Sequence, residues 1–231
     1  MSSPPPGPVP VAFCPCPPLL LPPVAGRAAA DTAGLRGACA EAVDAVLAAR
    51  PEVVVVVAPG AEGRYGPGDG GDLRGFGVDV EVPLAGPRRA DGRRTPLGLT
   101  VGAWLLDAAG HTGARNGVGP PDLADAVAGA PGPVGVLAMG DGSARRSLRA
   151  PGHRDDDAAP CDAAVAAALA AGDAAALAAL DAAEGERLLA AGVPVWRAVG
   201  ALLAGRNVTA RLLADEAPFG VGYLVAAWSA G

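Results

Sequence analysis

Residues 51–59 read Pro51-Glu52-Val53-Val54-Val55-Val56-Val57-Ala58-Pro59, which places five consecutive β-branched residues between two prolines. A strand with one face in water alternates apolar and polar residues, whereas an unbroken apolar run is typical of a strand buried on both faces of a parallel sheet. An exposed strand of this composition would also promote aggregation. The segment Glu52–Ala58 therefore predicts a strand, with Val53–Val57 central and fully buried.

The segments before this strand complete a strand–helix–strand unit. Val11–Cys14 is a short apolar run that predicts a buried strand, and the alternating prolines after it cannot join a ladder. Between Arg27 and Arg50 apolar residues recur at helical spacing, and Pro51 follows where such a helix must stop. This order of elements is typical of an α/β domain.

The rest of the chain continues the alternation of strands and helices. Pro59–Gly77 is rich in glycine and predicts a long loop. In the alanine-rich helical tract Asp162–Gly192, the pair Gly172-Asp173 combines a helix stop with a new N-cap. Further predicted elements are strands at Val78–Leu84, Val134–Ala138 and Val221–Trp228, and helices at Thr100–Gly110 and around Leu202 and Leu203.

These elements predict an α/β fold, with one three-layer α/β/α domain over residues 11–231. Its central sheet is expected to be mixed and largely parallel. Residues 1–10 are rich in proline and predict a loose leader.

The composition excludes several classes of partner. The net charge is −6, and an acidic chain does not in general attract nucleic-acid phosphate or anionic lipid. The N-terminus lacks the basic region and apolar run of a signal peptide, and no apolar stretch reaches the ~20 residues that a spanning helix needs. We therefore expect a cytoplasmic protein with reduced cysteines and without a nucleic-acid or membrane partner. A homo-oligomer is compatible with the sequence.

Four predicted loops follow strand ends, where open α/β sheets place their ligands: residues 15–18, 59–65, 140–147 and 215–222. We expect the loops that hold Cys16, Gly60, Ala144 and Glu216 to converge on one cleft. Three segments that include parts of these loops are informative. They are Phe13-Cys14-Pro15-Cys16-Pro17-Pro18-Leu19-Leu20, Met139-Gly140-Asp141-Gly142-Ser143-Ala144-Arg145-Arg146-Ser147 and Asp215-Glu216-Ala217-Pro218-Phe219-Gly220-Val221-Gly222-Tyr223. In this order they resemble segments of the class III extradiol ring-cleavage dioxygenases, specifically of their catalytic B-subunit-like domain. The resemblance covers about residues 10–228. It implies Fe(2+) as cofactor and a small aromatic ligand, an aromatic diol, as substrate.

The resemblance also implies roles for individual positions. The family holds iron with two histidines and a carboxylate, a set that leaves positions open for oxygen and substrate, and it uses a further histidine as acid/base. Here the ligand positions hold Cys16 and Gly60, the acid/base position holds Ala144, and the acidic ligand falls on Asp215 or Glu216. The candidate metal ligands are thus Cys16 and Glu216. The candidate pocket residues are Cys16, Gly60, Asp141, Ser143 and Arg145.

Several of these residues have a structural alternative. Cys16 as a thiolate can bind a soft metal, but a buried structural cysteine is the interpretation that its position favours. Asp141 in a Gly-Asp-Gly turn can serve turn geometry rather than chemistry. His111 follows a predicted helix end and His153 lies in a polar turn, and they do not have the spacing of a metal-binding pair.

Three functions from different classes follow. The first is an iron-dependent extradiol dioxygenase acting on an aromatic diol. The second is a non-catalytic family member that binds a small molecule or a protein partner in the cleft, which accounts for Cys16, Gly60 and Ala144 at the histidine positions. A third is a metal or redox role for Cys14 and Cys16. Because no imidazole occupies the ligand or acid/base positions, we expect neither tight binding of ferrous iron nor useful cleavage of catechols.

Overall fold

The computed structural model describes residues 7–231. Its strands are β1 (Val9–Cys14), β2 (Val53–Val57), β3 (Arg64–Tyr65), β4 (Gly70–Asp72), β5 (Glu81–Pro83), β6 (Ala114–Val118), β7 (Val134–Met139), β8 (Val208–Glu216) and β9 (Tyr223–Ala230). Its α-helices are α1 (Pro22–Ala25), α2 (Ala33–Ala48), α3 (Leu97–Ala108), α4 (Leu123–Ala128), α5 (Ala158–Ala171), α6 (Ala174–Ala178), α7 (Ala182–Arg187) and α8 (Val193–Leu202). Short 3-10 turns occupy Pro18–Leu20, Gly26–Ala30, Arg74–Phe76 and Pro120–Asp122.

Seven strands form the central sheet, in the order β3-β6-β2-β7-β1-β9-β8. Strands β6, β2, β7 and β1 are parallel, β3 and β9 run against them, and β8 is antiparallel to β9. The prediction of a mixed, largely parallel sheet in an α/β domain is confirmed. Strand β2 pairs with parallel neighbours on both sides, and none of Val53–Val57 is more than 4% exposed, so the predicted central buried strand is also confirmed.

Helices cover both faces of the sheet because both faces are apolar. Val55 packs in a cluster with α4, α5, α6 and α8, whereas its neighbour Val56 packs in a cluster with α2 and α3. On the first side the rings of Phe13 and Trp228 meet edge to face, with 4.9 Å between their centroids. The alternation of side chains along each strand thus produces the three layers.

Several boundaries differ from the prediction. The expected helix over residues 27–50 is α-helical only in α2, because the preceding turn is of the 3-10 type. Residues 78–84 contain only the short β5, which pairs with β4 in a separate two-stranded sheet. Val9 and Pro10, expected in the leader, belong to β1. Pro10 pairs with Ser229 of β9, but the ladder between β1 and β7 begins only at Val11, so at Pro10 the strand has a partner on one side alone. The rest of the predicted leader, residues 1–6, lies outside the described residues.

Four strands were not predicted. The short strands β3 and β4 lie in the segment expected to be a long loop, Pro59–Gly77, and β6 and β8 are longer. Strand β6 contains Arg115, Asn116 and Gly117, so its sequence lacks the apolar pattern of a strand, and its extended conformation comes from pairing with β2. Strand β8 forms one edge of the sheet and pairs only with β9. In both cases the neighbouring strand, rather than local preference, determines the conformation.

The alanine-rich tract is interrupted where the sequence indicates. Helix α5 ends at Gly172, whose φ of +70° lies in the left-handed region that favours glycine. The Asp173 side chain then caps α6 by accepting a hydrogen bond from the Ala176 N–H at 2.8 Å. Within residues 7–231, none of the helices combines the length and the apolar character needed to cross a bilayer.

Candidate functional site

A cleft of about 490 Å³ lies at the carboxyl ends of β1, β2 and β7. The loops that leave these three strands form its walls, together with the turn that joins β8 to β9. Its ionisable side chains are Cys16, Asp141 and Tyr223, and in residues 7–231 no arginine or histidine lines it. The remaining wall is largely apolar, formed mainly by Pro17, Pro18, Leu19, Pro59, Leu97, Pro151, Phe219 and Val221. An apolar cleft with a few convergent polar groups at this end of a sheet is the usual form of a small-molecule site.

Asp141 is the acidic group of the cleft. Its carboxylate oxygen Oδ1 accepts a hydrogen bond of 2.7 Å from the Cys16 N–H, which ties the loop after β7 to the loop after β1. Burial raises the pKa of Asp141 to about 6, although this hydrogen bond acts in the opposite direction. Within residues 7–231, Asp141 forms no ion pair. The cleft therefore holds a carboxyl group that changes protonation near neutral pH without an internal counter-charge.

Cys16 and Tyr223 remain protonated beside this carboxyl group. Burial, and then the negative charge of Asp141, raise the pKa of the Cys16 thiol well above its ordinary value. Burial also raises the pKa of the Tyr223 hydroxyl, with smaller contributions from Asp141 and Cys16. A protonated thiol is a poor nucleophile and a poor metal ligand. At neutral pH these two groups therefore offer hydrogen-bond donors to a ligand.

A buried carboxylate behind the cleft holds two of its loops in place. Asp162 on α5 accepts a hydrogen bond of 2.8 Å from the Ser143 N–H and pairs with the Arg146 guanidinium at 2.8 Å. A Cβ on Gly222 would lie 2.1 Å from Asp162 Oδ2, so only glycine leaves room for the carboxylate there. Gly142 in turn donates its N–H to the Gly222 carbonyl at 2.7 Å. Asp162 thus fixes the loop that carries Asp141 against the β8–β9 turn.

The structure brings some of the predicted site residues together and leaves others apart. Cys16 and Asp141 line the cleft, whereas Gly60 is exposed beside Pro59 and does not line it. Ser143 is fully buried and donates its hydroxyl to the Leu188 carbonyl at 2.7 Å. Its hydroxyl is therefore committed to holding the loop.

Three further predicted positions also lie outside the cleft. Ala144 and Arg145 continue the loop past Ser143 and do not line the cleft, and Glu216 is exposed at the end of β8. The loops after β1, β2 and β7 therefore meet with the β8–β9 turn at one cleft, but Ala144 and Arg145 of the loop after β7 and Glu216 of β8 do not line it.

The donor set does not fit the Fe(2+) centre that the resemblance implies. Within residues 7–231, no group of three or more histidine, cysteine, aspartate or glutamate side chains is placed to hold a metal ion. Of the candidate ligands, Cys16 keeps its proton at neutral pH, and Glu216 is exposed and does not line the cleft. Iron sites of this class need two imidazoles. His111 follows α3 and His153 lies in an exposed turn before α5, so neither lines the cleft.

Two features of the site were missed by sequence reasoning. Tyr223 ends the third of the quoted segments, but nothing local in the sequence indicates that it lines the same cleft as Asp141. Asp162 had a usable signal: it occupies the buried stripe of α5 formed by Ala158, Val165, Ala166 and Leu169. An acidic residue at such a core position requires partners, and here it finds them in the neighbouring loop.

A larger groove of about 570 Å³ lies at the opposite end of the sheet, between the starts of β1 and β7. No ionisable side chain of the described residues lines it, and Pro8, Pro51, Pro131 and Pro133 form much of its surface. It offers no chemical group, so the smaller cleft is the better candidate site.

No protein-family model matches the chain, and no curated protein matches it significantly. The interpretation of the cleft therefore depends on its own geometry.

Proposed function

We propose that this chain is a cytoplasmic, divergent relative of the class III extradiol dioxygenases that binds a small aromatic molecule in its cleft without iron-dependent ring cleavage. The observation that carries this proposal is Asp141, an unpaired carboxyl group in an apolar cleft at the carboxyl ends of β1, β2 and β7. Its pKa near 6 suits a group that accepts a hydrogen bond or a proton from a ligand. The Tyr223 hydroxyl and the Cys16 thiol add two donors on the same wall.

The proposal is tested by calorimetric titration of the purified protein with catechol and related aromatics. A variant that fills the cleft, Ala191→Trp, is the matched comparison, because Ala191 lines the cleft yet is itself exposed and tolerates a larger side chain. Saturable binding by the parent chain and its loss in Ala191→Trp are expected. Binding that is unaffected by Ala191→Trp would place the ligand elsewhere and contradict the proposal.

Iron-dependent dioxygenase activity is the second candidate, supported only by the resemblance of the three loop segments. It is tested by measuring the iron content of protein purified without chelator, followed by a ring-cleavage assay with ferrous iron added. We expect substoichiometric iron and no turnover. Stoichiometric iron together with turnover that is lost in Cys16→Ala would favour the enzyme over the binding protein.

A further inference from the structure

We infer that the ligand of this cleft is a small organic cation, with an ammonium group placed against the Asp141 carboxylate and an aromatic or other apolar body against the surrounding wall. This inference depends on the proposed function, because it names the ligand class of the same cleft.

The first argument is the balance of charge. Asp141 is the single charged side chain among the described residues that line the cleft. Arg146, which approaches the same loop from behind, is already paired with Asp162. A carboxylate removed from water is stabilised by an opposite charge and penalised without one. The described cleft walls supply no positive charge. A cationic ligand would therefore be stabilised by pairing with the Asp141 carboxylate.

The second argument is the composition of the wall. Phe219 and Tyr223 contribute aromatic rings, and aromatic faces attract ammonium groups that are held close to them. Pro17, Pro59 and Pro151 add rigid apolar surface that suits a hydrocarbon body. Part of the cleft thus fits a charge and the rest fits an apolar group.

The same groups disfavour the other ligand classes. An anionic ligand could accept hydrogen bonds from Cys16 and Tyr223, but it would meet the Asp141 carboxylate and would find no arginine or histidine on the described wall to balance the two negative charges. A neutral ligand can donate a hydrogen bond to Asp141 but leaves its charge uncompensated. Charge-assisted hydrogen bonds are roughly twice as strong as neutral ones, which separates the cation from a neutral molecule of equal shape.

The experiment compares three ligands of nearly equal shape that differ in charge: phenethylamine, 2-phenylethanol and phenylacetate. Their affinities are measured by calorimetry at pH 7.5 and at about 150 mM salt, which screens long-range attraction to an acidic surface. The proteins are the parent chain, Asp141→Asn, and the control Asp91→Asn, which removes one charge from an exposed loop. Asparagine keeps an oxygen for the Cys16 N–H and removes the charge, although it replaces the second acceptor oxygen with an NH2 donor.

We expect the parent chain to bind phenethylamine about tenfold more tightly than 2-phenylethanol, and phenylacetate most weakly. Asp141→Asn should abolish the preference for the amine while leaving the affinity for the alcohol within about threefold of the parent value. Asp91→Asn should behave like the parent chain.

Each of the other possible outcomes refutes one part of the proposal. Equal affinity for amine and alcohol refutes the cationic ligand but leaves the small-molecule cleft in place. An equal loss of amine binding in both asparagine variants assigns the effect to general surface charge and also refutes the cationic ligand. If none of the three ligands binds and catechol does not bind either, the proposed function fails as well.

Discussion

Replacing Asp141 with asparagine should stabilise the protein at neutral and alkaline pH. In the folded chain the carboxylate is largely removed from water, and burial raises its pKa to about 6 from an ordinary value of 3.8. The folded state therefore binds a proton more tightly than the unfolded state does. As pH rises from 3.8 to 6, the folded chain must give up this proton at a cost that the unfolded chain does not bear, so stability falls across this window and stays lower above it.

The magnitude follows from the two pKa values. At about 1.4 kcal/mol per pH unit, the difference between about 6 and 3.8 corresponds to about 3 kcal/mol. Because one side of Asp141 opens onto the cleft, water recovers part of this penalty. Asparagine retains the acceptor for the Cys16 N–H, which is 2.7 Å from Oδ1. We therefore expect Asp141→Asn to raise the free energy of unfolding by about 1–3 kcal/mol at pH 8, with little change near pH 4.

The assay is urea unfolding of the parent chain and of Asp141→Asn at pH 4, 6 and 8, followed by circular dichroism. Asp91→Asn is the control, since Asp91 lies on an exposed loop and its substitution should change stability by less than about 0.5 kcal/mol at every pH. The reasoning is refuted if Asp141→Asn is no more stable than the parent at pH 8, or if its advantage does not shrink toward pH 4. Residues that serve binding often lower the stability of the fold. A destabilising carboxylate in the cleft is therefore consistent with a role in binding.

Three further outcomes test the core, the loop anchor and the cysteines. Phe13→Ala should lower the free energy of unfolding by about 3–5 kcal/mol because the ring is fully buried. Phe76 is 44% exposed, so Phe76→Ala should change the free energy of unfolding by less than about 0.5 kcal/mol. Equal effects of Phe13→Ala and Phe76→Ala in urea unfolding would contradict the described core. Asp162→Ala should lower the free energy of unfolding by about 3 kcal/mol or more, because Arg146 loses its paired carboxylate. A loss under about 1 kcal/mol would contradict the role of Asp162 in holding the loops. Brief treatment with iodoacetamide at pH 7.5 should label Cys161 before Cys16, because Cys161 is partly exposed and Cys16 is 7% exposed. The order of labelling is read by peptide mass spectrometry, and the reverse order would contradict the described burial.

The cleft was only partly predictable from the sequence. The loops after β1, β2 and β7 were identified because strand ends can be located from apolar runs and because parallel strands share one ligand-binding edge. Cys16 and Asp141, which lie on two of these loops, line the cleft. The family resemblance also implied Ser143 and Glu216, but the Ser143 hydroxyl donates to the Leu188 carbonyl and Glu216 is exposed on β8. A loop's position in the chain does not determine which of its side chains turns toward the shared space.

The sequence alone determined the class of fold and the elements with strong local patterns. Five successive valines can be covered only by layers on both sides, and the Gly172-Asp173 pair ends one helix and begins another through local backbone and side-chain chemistry. Only the tertiary structure decided the edge strand β8, the polar strand β6 and the environment of Asp141. Strand pairing and desolvation depend on groups far apart in the chain: the Cys16 N–H that meets Asp141 is 125 positions away. Periodicity records whether a residue is apolar, but the pKa of a carboxyl group depends on which loops close around it.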